Sequence, residues 1–424
     1  MAAETRNDVA AETSDDVAPE TSNVETVHLS EERKNMEYCL IEIMKEHRVD
    51  KRKAEQVPPK RRIPKVDDTL RQTKYKNRCF EPLVVSFGPY HHGKEHLMRM
   101  EPYKNDAAAW FISHKKKKPA KDVADEEAIR SSSDEYIWKS RHYFNQASIA
   151  RDMFLLENQI PFPILESLMS LLPDQEMTEP SIMKFIFMVF LPSYEMDFAR
   201  NISRNGCFRV MIWIYKLFFP SLWNKILDSM WRSLFPEGRK PLHLLHVLRE
   251  VFLGVRDSSD SAGGSAGYWN YYFRPIRELK AAGIQVRRSR GITLKHLKFK
   301  GGLINSHLEI PQIIVDDSTV ARLLNLVAYE MCPDGPKDRE VTSYICLLDY
   351  LIDHPQDVNE LQKENILLNR LGSNKDVAIL FKELAANLSP DSNAYGLVIN
   401  GIKDHFERHF NNERVKIVDG PPSH

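Results

Sequence analysis

The chain has little of what most function classes require. Its five cysteines, Cys39, Cys79, Cys207, Cys332 and Cys346, are odd in number, widely spaced and never arranged C-x-x-C. That excludes a disulfide framework or a cysteine zinc knuckle and predicts reduced, mostly buried thiols. Net charge is absent too, because 59 basic residues cancel 59 acidic ones. No overall field draws the chain to nucleic acid or to an anionic membrane, so it carries no specific nucleic-acid signal. No apolar run reaches the 18 or so residues of a membrane span; the nearest, Cys207 to Trp223, is interrupted by Arg209, Lys216 and Pro220 and reads as buried helix. The acidic N-terminus has neither the basic nor the apolar region of a signal peptide, and the end of the chain shows no lipidation signal. A cytoplasmic location follows as an expectation. No phosphate-cradling glycine loop is found, which leaves nucleotide chemistry and cofactor binding without a foothold.

What is present is a globular composition, with 42% hydrophobic and 28% charged residues. Residues 1–30 repeat an octapeptide (AETRNDVA, AETSDDVA, PETSNVET) with too few large apolar groups to offset its ordering entropy, and read as a disordered acidic tail. Residues 31–62 read as an amphipathic helix followed by a basic linker. Ser30 can cap the helix, and Met36, Leu40, Ile43 and Met44 form its stripe. The linker holds Lys51-Arg52-Lys53 and Lys60-Arg61-Arg62, a split basic cluster that also allows a nuclear regulatory protein. Residues 63–410 make the globular body, with a flexible loop at 257–267 (DSSDSAGGSAG), and 411–424 a tail.

Within the body the spacing predicts a mainly α fold with a small β element. Leu83 to Phe87 reads as a short strand stopped by Gly88-Pro89, and Met98, Glu101 and Lys104 open a helix. Met153, Leu156 and Ile160 share a helical stripe that Pro161 and Pro163 break and restart. Residues 284–315 contain the best hairpin, turning at Gly301-Gly302. Later helices show Val320, Leu323, Leu324, Val327 and Met331 after a Ser318 cap, then Val341, Tyr344, Ile345, Leu348 and Leu351 ending before Pro355. Asp357 with Glu360, and Ser373 with Asp376, have capping-box spacing.

Three clusters could carry chemistry. His92-Gly93-Lys94-Glu95-His96 matches H-x-x-E-H, in which two imidazoles four apart on a helix bind zinc and the glutamate polarises water. A zinc-dependent hydrolase using His92, Glu95 and His96 is therefore an alternative, but Gly93 inside the motif argues against the helix it needs. Gly263-Gly-Ser265-Ala-Gly267 imitates a serine nucleophile elbow without the strand that must deliver the serine. Glu157, Asn158 and Gln159 stand just before Pro161, where their side chains suit backbone groups freed by the proline. No complete catalytic or metal site results.

Taken in order, several phrases resemble the plant family of domain of unknown function 247. They are Ile63-Pro64-Lys65-Val66, Val84 through Gly88-Pro89-Tyr90-His91-His92-Gly93, and Leu155-Leu156-Glu157-Asn158-Gln159-Ile160-Pro161-Phe162. Glu278 through Ile284, Leu308-Glu309-Ile310-Pro311 and Asn325 through Glu330 follow. The resemblance makes Gly88, Pro89, Tyr90, His91, His92, Glu157, Asn158, Gln159 and Pro161 family signature residues. It implies no enzymatic activity, and it implies plant recognition through a protein partner, including pollen–stigma self-incompatibility. Members usually carry an Asp-Gly-Cys-Phe block, which the stretch before Tyr143 lacks, and a C-terminal membrane-anchoring helix, not found after Phe410. Peripheral contact with the plasma membrane, as for anchored members, is the corresponding expectation.

Overall fold

A computed structural model describes residues 63–72, 78–105, 107, 146–169, 182, 183, 186, 220–236, 239–255, 274–291, 293–302, 305–391 and 393–418. The expectations for the acidic tail, the 31–62 helix and basic linker, the 257–267 loop and the 207–219 part of the apolar run lie outside these. The fold is mainly α with small β elements, as the periodicity predicts.

Among the described residues, besides helical residues at 101–105, 107, 182, 183 and 186, the helices in chain order are α1 (Asp68–Arg71), α2 (Gln146–Met153), α3 (Phe162–Met169), α4 (Pro220–Leu234), α5 (Leu244–Leu253) and α6 (Ile276–Ala281). They continue with α7 (Thr319–Met331), α8 (Glu340–Leu351), α9 (Pro355–Lys363), α10 (Asn374–Ala385) and α11 (Gly396–Val418). The strands are β1 (Gln285–Arg288), β2 (Lys298–Lys300), β3 (His307–Ile310), β4 (Ile313–Val315) and β5 (Leu367–Asn369).

Helix α7 organises the body. Its five-residue stripe understates its burial, because every residue from Thr319 to Glu330 except Arg322 is buried. A helix apolar or internally bonded all round belongs to an interior, and α7 packs against α5, α8 and α10. Helix α8 contributes Tyr344, Ile345, Leu347 and Leu348, all inaccessible to solvent or nearly so. Ser318 precedes α7 but does not cap it. Its hydroxyl donates instead to Asp316 at 2.7 Å, which also takes the Thr319 hydroxyl.

The expected hairpin forms between β2 and β3, antiparallel across the Gly301-Gly302 turn. The rest of 284–315 departs from it. Strand β1 pairs with β3 in parallel, and β4 leaves for a second sheet with β5, also parallel. Parallel partners need a crossover, so neighbours in sequence do not betray them. Ser373 caps α10 as its spacing predicts, accepting from the Asp376 N–H at 3.1 Å. The other box is shifted: Pro355 opens α9, and Asp357 sits at its third position, where its carboxylate accepts from the His354 N–H at 2.9 Å.

Two expectations near the signature phrases are corrected. Leu83 to Phe87 forms no strand: Leu83 and Val84 lie in a bend and 85–87 have no regular structure. The helix before Pro161 ends at Met153, so Glu157 and Asn158 lie in a 3-10 turn (Leu156–Asn158) rather than at the end of a helix. Helix α3 then restarts at Phe162, as the prolines require.

Candidate recognition site

The two strongest phrases fold against each other. Because Leu83 to Phe87 has no strand partner, its N–H groups need side-chain acceptors. Asp152, at the end of α2 and fully buried, accepts from Leu83 at 2.9 Å, Val84 at 2.7 Å and Val85 at 3.1 Å. Arg151 donates to its other oxygen at 2.7 Å. Burial raises the Asp152 carboxyl above its ordinary range, against the pull of these donors.

Asn158 continues the clamp. Its Oδ1 accepts from Phe87 at 2.8 Å and Gly88 at 3.1 Å, while its Nδ2 donates to the carbonyls of Val85 and Asp152, each at 2.9 Å. All four hydrogen-bonding positions of the amide are used. Gln159 donates to the carbonyls of Met153 and Leu155, the acceptors released where α2 ends, and accepts from Leu245 N–H at 3.0 Å. Gly88 is required because a Cβ there would stand 2.7 Å from the Gln159 carbonyl oxygen.

Glu157 faces the chain entry. It accepts from Val66 N–H at 2.9 Å and from Arg71 at 2.5 Å. Arg71 also meets Glu81 at 3.3 Å, and Glu81 pairs with Lys94 and stands 3.2 Å from Nδ1 of the buried His91. Burial works to raise the Glu81 carboxyl, but Lys94, His91 and Arg71 together hold it below the ordinary value. For His91, burial dominates and lowers its affinity for a proton. Tyr90 points outward, its hydroxyl donating to the Ile63 carbonyl at 2.9 Å and its ring lying under Lys65.

The H-x-x-E-H candidates are not placed on one helix. His92 ends a 3-10 turn (Pro89–His91), Gly93 takes φ +82°, and a new 3-10 segment starts at Glu95. The His96 Nε2 is engaged with the Pro82 carbonyl at 3.1 Å. Among the described residues no group of three or more His, Cys, Asp or Glu could hold a metal ion. The serine-elbow imitation falls outside the described residues.

Asn325 and Glu330, which delimit one of the resembling phrases, were given no role by sequence reasoning and are buried anchors on α7. Asn325 accepts from Leu156 N–H at 2.8 Å and donates to the Cys79 carbonyl at 2.8 Å, tying the second phrase and the chain just ahead of the first to the central helix. Glu330 accepts from Val341 and Thr342 N–H and from the fully buried Arg249 at 2.7 Å, and Arg249 also reaches Asp338 at 3.0 Å. A polar residue inside an otherwise apolar helical stripe was the available signal. Beside this node is a half-open polar cleft of about 490 Å³ lined by Arg239, His246, Glu250 and Lys337 among others. The smaller neighbouring cleft of about 60 Å³ is walled by Pro64, Pro161, Pro163 and Pro241.

On the outside of the same framework lie large apolar side chains. Six are exposed among the described residues, and Leu83, Tyr90 and Met98 come from the single stretch 83–98. His96 on Pro82 and Lys94 on Glu81 lace the two ends of that stretch together.

A helical body built around a buried central helix, with residues 83–88 clamped by Asp152 and Asn158, thus defines the class. The chain belongs to the DUF247 family, described as plant protein of unknown function, whose model matches residues 63–139 and 121–419. It is similar to the UPF0481 protein At3g47200 of Arabidopsis thaliana, 25% identical over 369 residues that cover 79% of this chain and 75% of that protein. No solved structure matches. No helix among the described residues is long and apolar enough to cross a membrane.

Proposed function

We propose that this chain is a non-catalytic recognition protein that acts by protein–protein contact through the outward face of residues 83–98. One observation carries the reading. The polar side chains of the signature phrases that could do chemistry, Glu157, Asn158 and Gln159, together with Asp152, are spent on backbone groups of their own fold. Leu83 and Met98 on the same segment leave about half of their apolar side chains to solvent. A rigidly held loop presenting apolar side chains suits a partner surface, since binding then costs little ordering entropy. Within plants, recognition and signalling in reproduction, of the pollen–stigma type, is the context we favour for that partner. The chain would act from the cytoplasm or against the inner face of the plasma membrane, its partner being a protein.

The test is photo-crosslinking in pollen and vegetative tissue of wild-type chain and of Leu83→Glu/Met98→Glu. The expected outcome is a discrete crosslinked protein lost in the double variant, with thermal unfolding unchanged because both side chains are exposed. A partner crosslinked equally well by the double variant would overturn the assignment of this face. The zinc-hydrolase alternative draws no support from the arrangement around Gly93, and metal retained stoichiometrically until His92→Ala or His96→Ala would restore it.

A further inference from the structure

The small cleft at the start of α5 holds a hydrogen-bond donor that the surrounding fold does not answer. His243 precedes α5, and its Nδ1 accepts from the His246 N–H at 3.1 Å. The residue is 2% exposed, and burial, with the neighbouring His246, lowers its pKa to about 3, so the imidazole is neutral. A neutral ring that accepts at Nδ1 carries its proton at Nε2. That Nε2–H is buried and meets no acceptor among the described residues. The ring also packs edge to face with Tyr329, centroids 4.8 Å apart, which supplies at most a weak N–H···π contact. A buried donor left unmet is costly, so its presence in the wall of a cleft asks what it is for.

The other walls limit what can answer it. Pro64, Pro161, Pro163 and Pro241 line the cleft beside Leu242 and Tyr329. Proline has no N–H to offer. The Leu242 N–H is spent on His246 Nδ1 at 3.1 Å and the Gly335 N–H on the Cys332 carbonyl at 2.9 Å. A peptide strand laid here would find few donors for its row of carbonyls, whereas an apolar body with a single acceptor suits the walls. Charge points the same way. Lys240 is already paired with Glu166 at 2.5 Å, and Asp334 carries the opposite sign, so an ion is given no clear advantage. A volume of about 60 Å³ is room for about four waters, or for a group of roughly five or six heavy atoms. The larger polar cleft shares Leu242, Tyr329, Asp334 and Gly335 with this one and can take a polar remainder of the same molecule.

We propose that the proline-walled cleft binds a small uncharged organic molecule, whose compact apolar group sits among the prolines and whose carbonyl oxygen accepts from His243 Nε2. The site goes beyond the recognition reading and stands whether or not residues 83–98 bind a partner.

The test uses the full chain and two molecules of one shape, cyclohexanone and methylenecyclohexane, which differ in the acceptor oxygen. Saturation-transfer NMR should show cyclohexanone binding about tenfold more tightly, the worth of one buried hydrogen bond. With nitrogen-labelled histidine, cyclohexanone should move the His243 Nε2–H resonance downfield and methylenecyclohexane should not. His243→Asn keeps an acceptor for the His246 N–H on a shorter side chain, and there the ratio of the two affinities should fall to about one. A cyclohexanone carrying a diazirine should label peptides that contain residues 240–243 or Tyr329. The comparison of the two probes is made on the wild-type chain, so it decides even where the variant fails to fold. Equal binding of the two probes overturns the proposal, as does labelling elsewhere. So does a His243 resonance that neither probe moves, the result expected of a donor answered by water only.

Discussion

Truncating Asn158 tests the framework most directly. Its amide makes four hydrogen bonds, to the N–H groups of Phe87 and Gly88 and to the carbonyls of Val85 and Asp152. Three of those partners belong to buried residues, and Phe87 is partly buried. Asn158→Ala strands them, and a buried unpaired polar group costs about 1–3 kcal/mol. Partial relaxation and water entry bring the sum to roughly 3–6 kcal/mol. That is a large share of the roughly 5–15 kcal/mol that holds a domain folded. The midpoint of thermal unfolding should fall by on the order of 10 °C. Urea unfolding followed by tryptophan fluorescence measures the loss, and hydrogen exchange locates it: amides of 83–88 should lose protection first. Asn158→Asp keeps the shape and the acceptor oxygens but cannot donate to the two carbonyls, and should lose comparable stability. An alanine variant within about 1 kcal/mol of wild type, or an aspartate variant indistinguishable from it, would refute the clamp.

Two further outcomes are expected. Gly88→Ala forces a Cβ to within 2.7 Å of the Gln159 carbonyl, where backbone must move, so it should cost about 2–3 kcal/mol by the same unfolding assay. Acid should destabilise the chain through His243 and His246, whose burial lowers their pKa values to about 3 and about 4. The unfolded chain takes up protons near pH 6.5 while the native imidazoles do not, so their contribution is present above that pH. It is lost as pH falls through 6.5 towards about 3–4. His243→Asn keeps an N-cap acceptor for the His246 N–H and should flatten the stability profile between pH 6.5 and 4, measured by urea titration at each pH.

The helical body was legible because its signals are local. Ser373 and Asp376 cap α10 where three-residue spacing puts them, and the Gly301-Gly302 turn sits between β2 and β3. The shifted box at α9 shows the limit of such reading, since Asp357 fits its spacing either as cap or as third residue and only Pro355 decides. Strand β1 and the β4–β5 pair were illegible because parallel pairing joins residues about 20 to 50 positions apart. The segment Leu83 to Phe87 has the composition of a strand, yet its acceptors are the carboxylate and amide of Asp152 and Asn158, some seventy residues away. Of the candidate site, the bonds of Gln159 and of the Asn158 amide nitrogen to carbonyls of 152–155 fit the expectation from the nearby proline, whereas Glu157 is used on Val66 and Arg71 instead. The distant partners of these three residues, Val66, Arg71, Phe87, Gly88 and Leu245, were not legible, because those contacts are long-range, as is the reach of Asn325 to Cys79.

The way that segment is held also limits how anything can bind it. An extended edge with free N–H and C=O groups invites another chain to add a strand, which is both a recognition mode and an aggregation hazard. Here the donors of Leu83, Val84, Val85, Phe87 and Gly88 are all consumed from behind by two side chains. An incoming strand would meet a row with almost nothing to give it. On the function proposed above, whatever approaches this face would be read by side chains, and selectivity would rest on Leu83, Tyr90 and Met98 and could change by single substitutions without disturbing the backbone that displays them.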